Sequence, residues 1–113
     1  MLQAVYDGAT IVVPAIWRLE IANALVVAER RKRILPAKST KFLQDLQQFS
    51  INVDTDGLDR IFAEVFDFAR RYQRTSYDAS YLELAKRRNL PFATKDGSLR
   101  KAAEELGLAM FQP

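Results

Sequence analysis

The alternation of strand and helix that decides the fold begins in residues 11–25, IVVPAIWRLEIANAL. The β-branched run Ile11–Val13, closed by Pro14, predicts a short strand. From Ala15 to about Lys32, apolar residues recur at helical spacing on nearly every side, which predicts a helix buried on most faces. A strand followed directly by such a helix is typical of an α/β protein.

The same alternation continues to the end of the chain. It predicts helices from Pro36 and over 58–72, 77–88 and 97–106, and strands at 51–53, 90–94 and 108–111. Pro36 suits the first position of a helix, and Gly107 suits the position just past a helix end. We therefore expect one α/β domain over residues 1–113, with helices flanking a short parallel sheet.

The first eight residues depart from this alternation. Met1–Gly8 has the pattern of the last turns of a helix ended by a glycine, and no strand precedes it. This pattern predicts that the chain begins within a helix.

The composition excludes several kinds of chemistry. The 113 residues include no histidine and no cysteine, which excludes a thiol nucleophile, a Ser-His-Asp triad and an imidazole or thiolate zinc site. Seventeen Lys and Arg against fourteen Asp and Glu give a net charge of +3, a weak indication of an anionic partner. No membrane-spanning run and no secretion signal are recognisable, so we expect a cytoplasmic protein without membrane contact.

Glu20 is the first candidate functional residue because it lies in the middle of the most apolar predicted helix. Burial of a carboxylate is costly unless it is paired or bound to a metal. Asn23 lies three residues further on and shares its helical face. A functional carboxylate is the favoured interpretation; the alternative is a side chain that reaches solvent or an arginine.

Two further carboxylates lie where predicted helices begin. Asp78 falls in the first turn after Thr75 and Ser76, where the helix dipole stabilises an acid whatever its function. Asp96 follows the strand at 90–94, where it either caps the last helix or faces a ligand crevice. Glu20, Asp78 and Asp96 would flank one edge of the sheet. Hard carboxylate oxygens suit Mg²⁺ or Mn²⁺, and such a cluster typically acts on a phosphodiester.

The other charged residues are expected mainly on solvated faces. The acids of this kind are Asp45, Asp59, Glu64, Asp67, Glu83, Glu104 and Glu105. The basic clusters near helix ends either contact RNA phosphates or are simply stabilised there by the helix dipole. The candidate RNA-contacting residues are Arg30, Arg31, Arg33, Arg74 and Lys95.

Three segments resemble motifs of the PIN-domain ribonucleases, in the order in which that family carries them. Residues 12–25, VVPAIWRLEIANAL, resemble the strand and helix that carry the family's helical acid. Residues 75–82, TSYDASYL, resemble its second motif, and residues 93–99, ATKDGSL, resemble its third. The most similar branch is the VapC-type toxins of bacterial toxin–antitoxin pairs.

The resemblance implies a three-layer α/β fold and a Mg²⁺- or Mn²⁺-dependent endoribonuclease. It implies that Glu20, Asp78 and Asp96 are catalytic acids that hold the metal, with Asn23 and Thr94 supporting them. It also implies a cognate antitoxin that keeps the enzyme inactive, and a homodimer.

The resemblance does not extend to the N-terminus, because the family begins with a central strand that bears an Asp. We expect this shortened chain to lack that strand, and Asp7, in the predicted helix end, does not replace the acid. The N–H and C=O groups of the neighbouring strands would then have no partner strand, and each such group costs about 1–3 kcal/mol if it is buried unpaired. This predicts a homodimer or a swapped oligomer. Two functions stay open: the endoribonuclease, or an impaired domain that dimerises or binds the antitoxin.

Overall fold

The computed structural model of the protein describes residues 3–111. Its strands are β1 (Ala4–Asp7), β2 (Thr10–Pro14), β3 (Ile51–Asp54) and β4 (Phe92–Ala93). Its α-helices are α1 (Trp17–Arg30), α2 (Pro36–Leu46), α3 (Phe66–Tyr72), α4 (Ser76–Arg88) and α5 (Gly97–Glu105). A 3₁₀ turn (Asp56–Arg60) and a π turn (Ile61–Val65) lead from β3 into α3. The α/β class predicted from the sequence is confirmed.

The chain forms two compact units. The sheet unit contains residues 3–15 and 51–111, with all four strands and with α3, α4 and α5. The helical unit contains residues 16–50, with α1 and α2.

The four strands form one sheet in the order β3-β2-β1-β4. β2 and β3 are parallel, with Val13 opposite Val53. β1 is antiparallel to both of its neighbours, so that Val5 lies opposite Val12 on one side and Phe92 on the other. Three of the four strands predicted from the sequence, β2, β3 and β4, therefore run in one direction, as expected. The sheet as a whole is mixed because β1 runs the other way between them. The strand predicted at 108–111 is wrong, because this segment forms only an isolated parallel bridge between Met110 and Phe92.

The helix end predicted at Met1–Gly8 is wrong for the part of it within the described residues; Met1 and Leu2 lie outside them. Residues 4–7 form β1, and the chain turns through Gly8 and Ala9 into β2. Gly8 has φ +62, the left-handed backbone that a two-residue hairpin turn with glycine in first place requires. A glycine just past a helix end also has a positive φ, so the glycine alone does not distinguish the two structures.

β1 lies at the centre of the sheet, where the sequence predicts a missing strand. β1 occupies the centre, between β2 and β4, and pairs with both. The central gap expected from the sequence is therefore absent from the sheet formed by residues 3–111. An oligomer inferred from unpaired strand edges at that gap loses its physical basis.

The helix α4 lies at the centre of the sheet unit. It packs on β1 and β2 and also contacts α3 and the π turn. Its buried apolar residues are Ala79, Tyr81, Leu82, Leu84 and Ala85. A helix buried to this extent is held rigidly, so side chains at its two ends have fixed positions relative to the sheet.

Two predicted apolar helices are more exposed than expected. Residues 56–72 are helical but pass from 3₁₀ to π to α geometry, and the turns differ in residues per turn. A stripe with regular α spacing therefore does not stay on one face, and Phe62 is 98% exposed while Val65 is buried. In α1, Ile21 is buried and Leu19 is exposed, since a two-helix unit does not cover every face of an apolar helix.

Candidate functional site

The candidate acid Asp78 is fixed by the cap of α4. The preceding helix α3 ends at Gln73, whose backbone is left-handed with φ +54. Thr75 is the N-cap of α4, and its Oγ1 accepts a hydrogen bond from the Asp78 backbone N–H at 3.0 Å. The carboxylate of Asp78 lies in the first turn, where the helix dipole favours negative charge.

The candidate acid Asp96 is the N-cap of α5. Its Oδ1 accepts hydrogen bonds from the backbone N–H groups of Ser98 and Leu99, at 3.0 and 3.1 Å. Thr94 Oγ1 accepts one from the Asp96 N–H at 3.1 Å, which fixes the turn between β4 and α5. The bond from Leu99, with further contributions from Arg74 and Ser98, outweighs burial and holds the pKa of Asp96 below its usual 3.8.

Arg74 joins the two acids. Its Nη2 donates to Asp78 Oδ2 at 2.9 Å and to Asp96 Oδ2 at 2.5 Å. Its Nε also donates to Asp78 Oδ2, at 3.3 Å, and its Nη1 donates to Ser98 Oγ at 2.9 Å. The hydrogen bond with Asp78, followed by that with Asp96, raises the pKa of Arg74. We refer to Arg74, Asp78, Asp96 and Ser98 as the acid–arginine cluster.

The acid–arginine cluster has the donor chemistry of a divalent cation site. One oxygen from each carboxylate contacts the same nitrogen, Arg74 Nη2, so both already converge on one positively charged group. The Asp78 and Asp96 side chains are 19% and 34% exposed, which leaves them accessible to small ions. Mg²⁺ is commonly held by one or two carboxylates with water completing its octahedron. The two acids therefore present the hard oxygen donors that divalent metal ions prefer.

The third predicted metal ligand, Glu20, lies in the first turn of α1, within the helical unit. It is half-buried, and Asn23 on the same helix is exposed, so the deep burial expected for this face is wrong. Across residues 3–111, no set of three or more Asp or Glu side chains is grouped so as to hold a metal. The roles of Glu20 and Asn23 thus stay predictions.

The candidate RNA-contacting residues differ in their surroundings. Arg30, Arg31 and Arg33 are exposed at and just after the end of α1, and Lys95 is exposed beside Asp96. Arg74 is instead bound to two carboxylates. Exposed cationic side chains such as Arg30, Arg31, Arg33 and Lys95 are available to phosphates, whereas Arg74 must first leave its two carboxylate partners.

Asp7 does not belong to the acid–arginine cluster. It is the last residue of β1, and its exposed carboxylate lies 4.0 Å from Arg88 Nη2. Because β1 and β4 are antiparallel with Ala4 opposite Ala93, Asp7 and Asp96 lie toward opposite edges of the sheet.

A second ionic cluster is buried and serves to join elements. Arg87 donates to Asp54 through Nη1 and Nη2, at 3.1 and 2.6 Å, and to Glu83 through Nε at 2.8 Å. The Asp54 and Glu83 side chains are only 5% and 4% exposed. The surface position predicted for Glu83 is therefore wrong, because Arg87, four residues on, neutralises it in the interior. We call Asp54, Glu83 and Arg87 the Asp54–Arg87 cluster.

Gly57 completes the Asp54–Arg87 cluster. Its N–H donates to Asp54 Oδ2 at 3.0 Å, and a Cβ at this position would lie 3.1 Å from the same oxygen. Burial raises the pKa of Asp54, but the hydrogen bonds from Arg87 and Gly57 outweigh it and hold that pKa below 3.8. With each charge paired, the cluster fastens the end of β3 to α4.

The residues that sequence reasoning missed are the links within the acid–arginine cluster. Arg74 was predicted only as a weak RNA contact, and Ser98 was not predicted at all. The available signal was local: Arg74 precedes Asp78 by four residues, a spacing that favours an ion pair. Its contact with Asp96 spans 22 positions and has no such signal.

Comparison with known proteins identifies the family. The model of the PIN domain matches residues 2–105, which is most of the chain. Searches of curated proteins and of solved structures gave no match. None of the helices described in residues 3–111 is long and apolar enough to cross a membrane. PIN domains indicate a nuclease-type function and generally use divalent metal ions. Because this match covers most of the chain and the α/β fold is consistent with it, the chain belongs to the PIN domain family.

Proposed function

We propose that this protein is a Mg²⁺- or Mn²⁺-dependent endoribonuclease of the VapC type. The observation that carries the proposal is the convergence of Asp78 Oδ2 and Asp96 Oδ2 on one cationic atom, Arg74 Nη2. Two ionised oxygens that meet at one accessible point form the core of a hard-cation site. The family match supports the nuclease class of the reaction.

The residues of the chain prepare this site in three ways. Thr75 holds Asp78 in place, because its Oγ1 accepts a hydrogen bond from the Asp78 backbone N–H at the start of α4. Thr94 fixes the turn, and two backbone N–H groups hold Oδ1 of Asp96, which leaves Oδ2 directed at the same point. The lowered pKa of Asp96 keeps it ionised at neutral pH. A bound divalent cation supplies positive charge toward the scissile phosphate and acidifies water for attack.

We assign Glu20 as the third acid and Asn23 as its supporting residue, on the strength of the motif in residues 12–25. Arg30, Arg31, Arg33 and Lys95 supply exposed positive charge for the RNA backbone. In this assignment the carboxylates hold the cation and the arginines and lysine bind substrate.

The test is an RNA cleavage assay with matched aspartate variants. Asp78→Asn and Asp96→Asn should each lower the rate by at least about 100-fold, since even supporting residues of metal sites cost 10- to 100-fold. Asp67→Asn is the control, because Asp67 also pairs with an arginine four residues away, Arg71, on an exposed face. Cleavage should require added Mg²⁺ or Mn²⁺ and stop with a chelator. Wild-type protein that leaves RNA intact in Mn²⁺ would refute the proposal and favour the impaired, binding-only alternative.

We further propose that the protein forms a homodimer and is inhibited by a cognate antitoxin. Support comes from three large apolar side chains of residues 56–72, Leu58, Phe62 and Phe66, which are 54%, 98% and 53% exposed. Exposed apolar surface in a soluble domain is favourable to bury against a partner. Sedimentation velocity should show a dimer that Phe62→Ser weakens. The matched control is Tyr77→Ser, since Tyr77 is 56% exposed and lies in a different helix, α4. A monomeric wild type would contradict the dimer.

A further inference from the structure

The hydrogen bonds of Arg74 use every nitrogen of its guanidinium group. Nε and Nη2 contact Asp78, Nη2 also contacts Asp96, and Nη1 contacts Ser98. The side chain is 21% exposed, so solvent reaches it only in part. Charge-assisted bonds of this kind are stronger than neutral ones, and the planar guanidinium suits two acceptors at once.

The guanidinium and a divalent cation would need the same place. Both carboxylates offer Oδ2 to Nη2, at 2.9 and 2.5 Å. Mg²⁺ binds carboxylate oxygens at about 2.0–2.1 Å, so the same two oxygens need to close in by only a few tenths of an ångström to about 1 Å. Two positive groups cannot share that point, because their charges repel and each needs the same lone pairs.

We propose that Arg74 is an internal competitor of the catalytic metal. The guanidinium occupies the carboxylates when the metal is absent, and the metal binds only as Arg74 swings away from Asp78 and Asp96. This inference rests on the proposed function, in which those two acids hold the cation. The guanidinium compensates one of the two negative charges of the empty site and sets a lower metal affinity than the two acids would have alone.

The expected change in Mn²⁺ affinity can be judged from the effect of a neighbouring cation on the proton affinity of a carboxylate. A nearby guanidinium lowers the proton affinity of a carboxylate by about 10- to 1000-fold. A divalent cation binds the same oxygens as the proton and meets the same competitor. Removal of Arg74 should therefore strengthen Mn²⁺ binding by about tenfold or more.

The experiment is a Mn²⁺ titration followed by electron paramagnetic resonance, with no RNA present. Arg74→Gln should bind Mn²⁺ about tenfold or more tightly than wild type, and Arg74→Lys should fall between them. The control is Arg71→Gln, because Arg71 pairs with Asp67 on an exposed face and should leave the affinity unchanged. Equal or weaker binding by Arg74→Gln, or no binding by either protein, would overturn the inference.

A measurement on the wild type covers the case in which Arg74→Gln does not fold. The Nε–H resonance of Arg74 should shift and lose protection from solvent exchange as Mg²⁺ is added, while that of Arg71 stays unchanged. An Arg74 resonance that stays protected at saturating Mg²⁺ would overturn the inference. RNA cleavage separates the two proposals. If the wild type cleaves RNA but Arg74→Gln binds Mn²⁺ no more tightly than the wild type, only the proposal that Arg74 competes with the metal is refuted. If Arg74→Gln binds Mn²⁺ more tightly but the wild type cleaves no RNA, only the proposed ribonuclease activity is refuted.

Discussion

Arg87 binds Asp54 through both of its terminal nitrogens, although 33 positions separate the two residues in the chain. The pair joins the end of β3 to the last turn of α4, the helix whose first turn carries Asp78, nine residues before Arg87. The position of the candidate site therefore depends on a helix that is fastened at its far end by a buried ion pair.

Loss of one partner of this pair should destabilise the protein strongly. Asp54→Ala removes the acceptor of two charge-assisted hydrogen bonds from Arg87 and of one from the Gly57 N–H, and breaking a buried ion pair costs about 3–5 kcal/mol of the free energy of unfolding. Glu83 still contacts Arg87, so we expect the lower end of that range. Urea unfolding measures the loss. Asp67→Ala is the control, because its exposed pair with Arg71 should contribute less than about 0.5 kcal/mol. A loss below about 1 kcal/mol in Asp54→Ala would contradict the role assigned to the pair.

The lowered pKa of Asp54 predicts acid sensitivity. A carboxyl group whose pKa is lower in the folded than in the unfolded protein stabilises the fold above the unfolded value. That contribution is lost as the pH falls below 3.8 and through the folded pKa, because the unfolded chain takes up the proton first. Unfolding free energies of wild type and Asp54→Asn, measured between pH 6 and pH 2, test this. The wild type should lose more stability than the variant; parallel curves would disprove the link to Asp54. The pKa of Asp96 is also lowered, but Asp96 is present in both proteins and does not contribute to the difference between them.

Gly57 should tolerate no side chain. A Cβ there would lie 3.1 Å from Asp54 Oδ2, 3.3 Å from Arg87 Nη2 and 3.4 Å from Glu83 Oε1, which hold one another in place. Overpacking of a fixed site costs about 1–3 kcal/mol, so Gly57→Ala should lower the melting temperature. The matched control is Gly97→Ala, since nothing lies within 4 Å of that Cβ position. Calorimetry that shows equal effects of the two substitutions would rule out the crowding at Gly57.

Glu20 should be essential for cleavage if it is the third acid of the site. Glu20→Gln keeps the shape of the side chain but removes its charge. It should lower the rate of RNA cleavage by at least about 100-fold, because loss of a metal ligand reduces activity more than loss of a supporting residue does. Glu29→Gln on the same helix is the control. Circular dichroism should show both variants folded, because Glu20 is only half-buried. Full activity in Glu20→Gln would remove Glu20 from the catalytic set.

Most of the elements were predictable because their signals are local. Apolar spacing placed β2, β3 and α2 within a few residues, Pro36 marked the start of α2, and Thr75 marked the start of α4. β1 was not predictable in this way. Four residues are too few for periodicity to separate strand from helix, and the glycine that follows serves both structures.

The site was predictable only in part, for the same reason. Asp78 and Asp96 stand at helix starts, which their neighbours in sequence reveal. The contact of Arg74 with Asp96 depends on how α4 and β4 meet, and no short segment encodes that. At Glu83 the local signal was misleading. A Glu and an Arg four residues apart are typical of an exposed helix face, but the same spacing occurs here in a buried ion pair.

The direction of β1 has a practical consequence for work with this protein. β1 is antiparallel to β4, so Gln3 lies toward the edge of the sheet from which β4 leads to Asp96. An affinity tag or fluorescent protein fused ahead of β1 would therefore join the sheet at the edge that leads to Asp96. The hairpin turn at Gly8 and Ala9 lies at the other edge, which makes it the better place for a short epitope or a spin label.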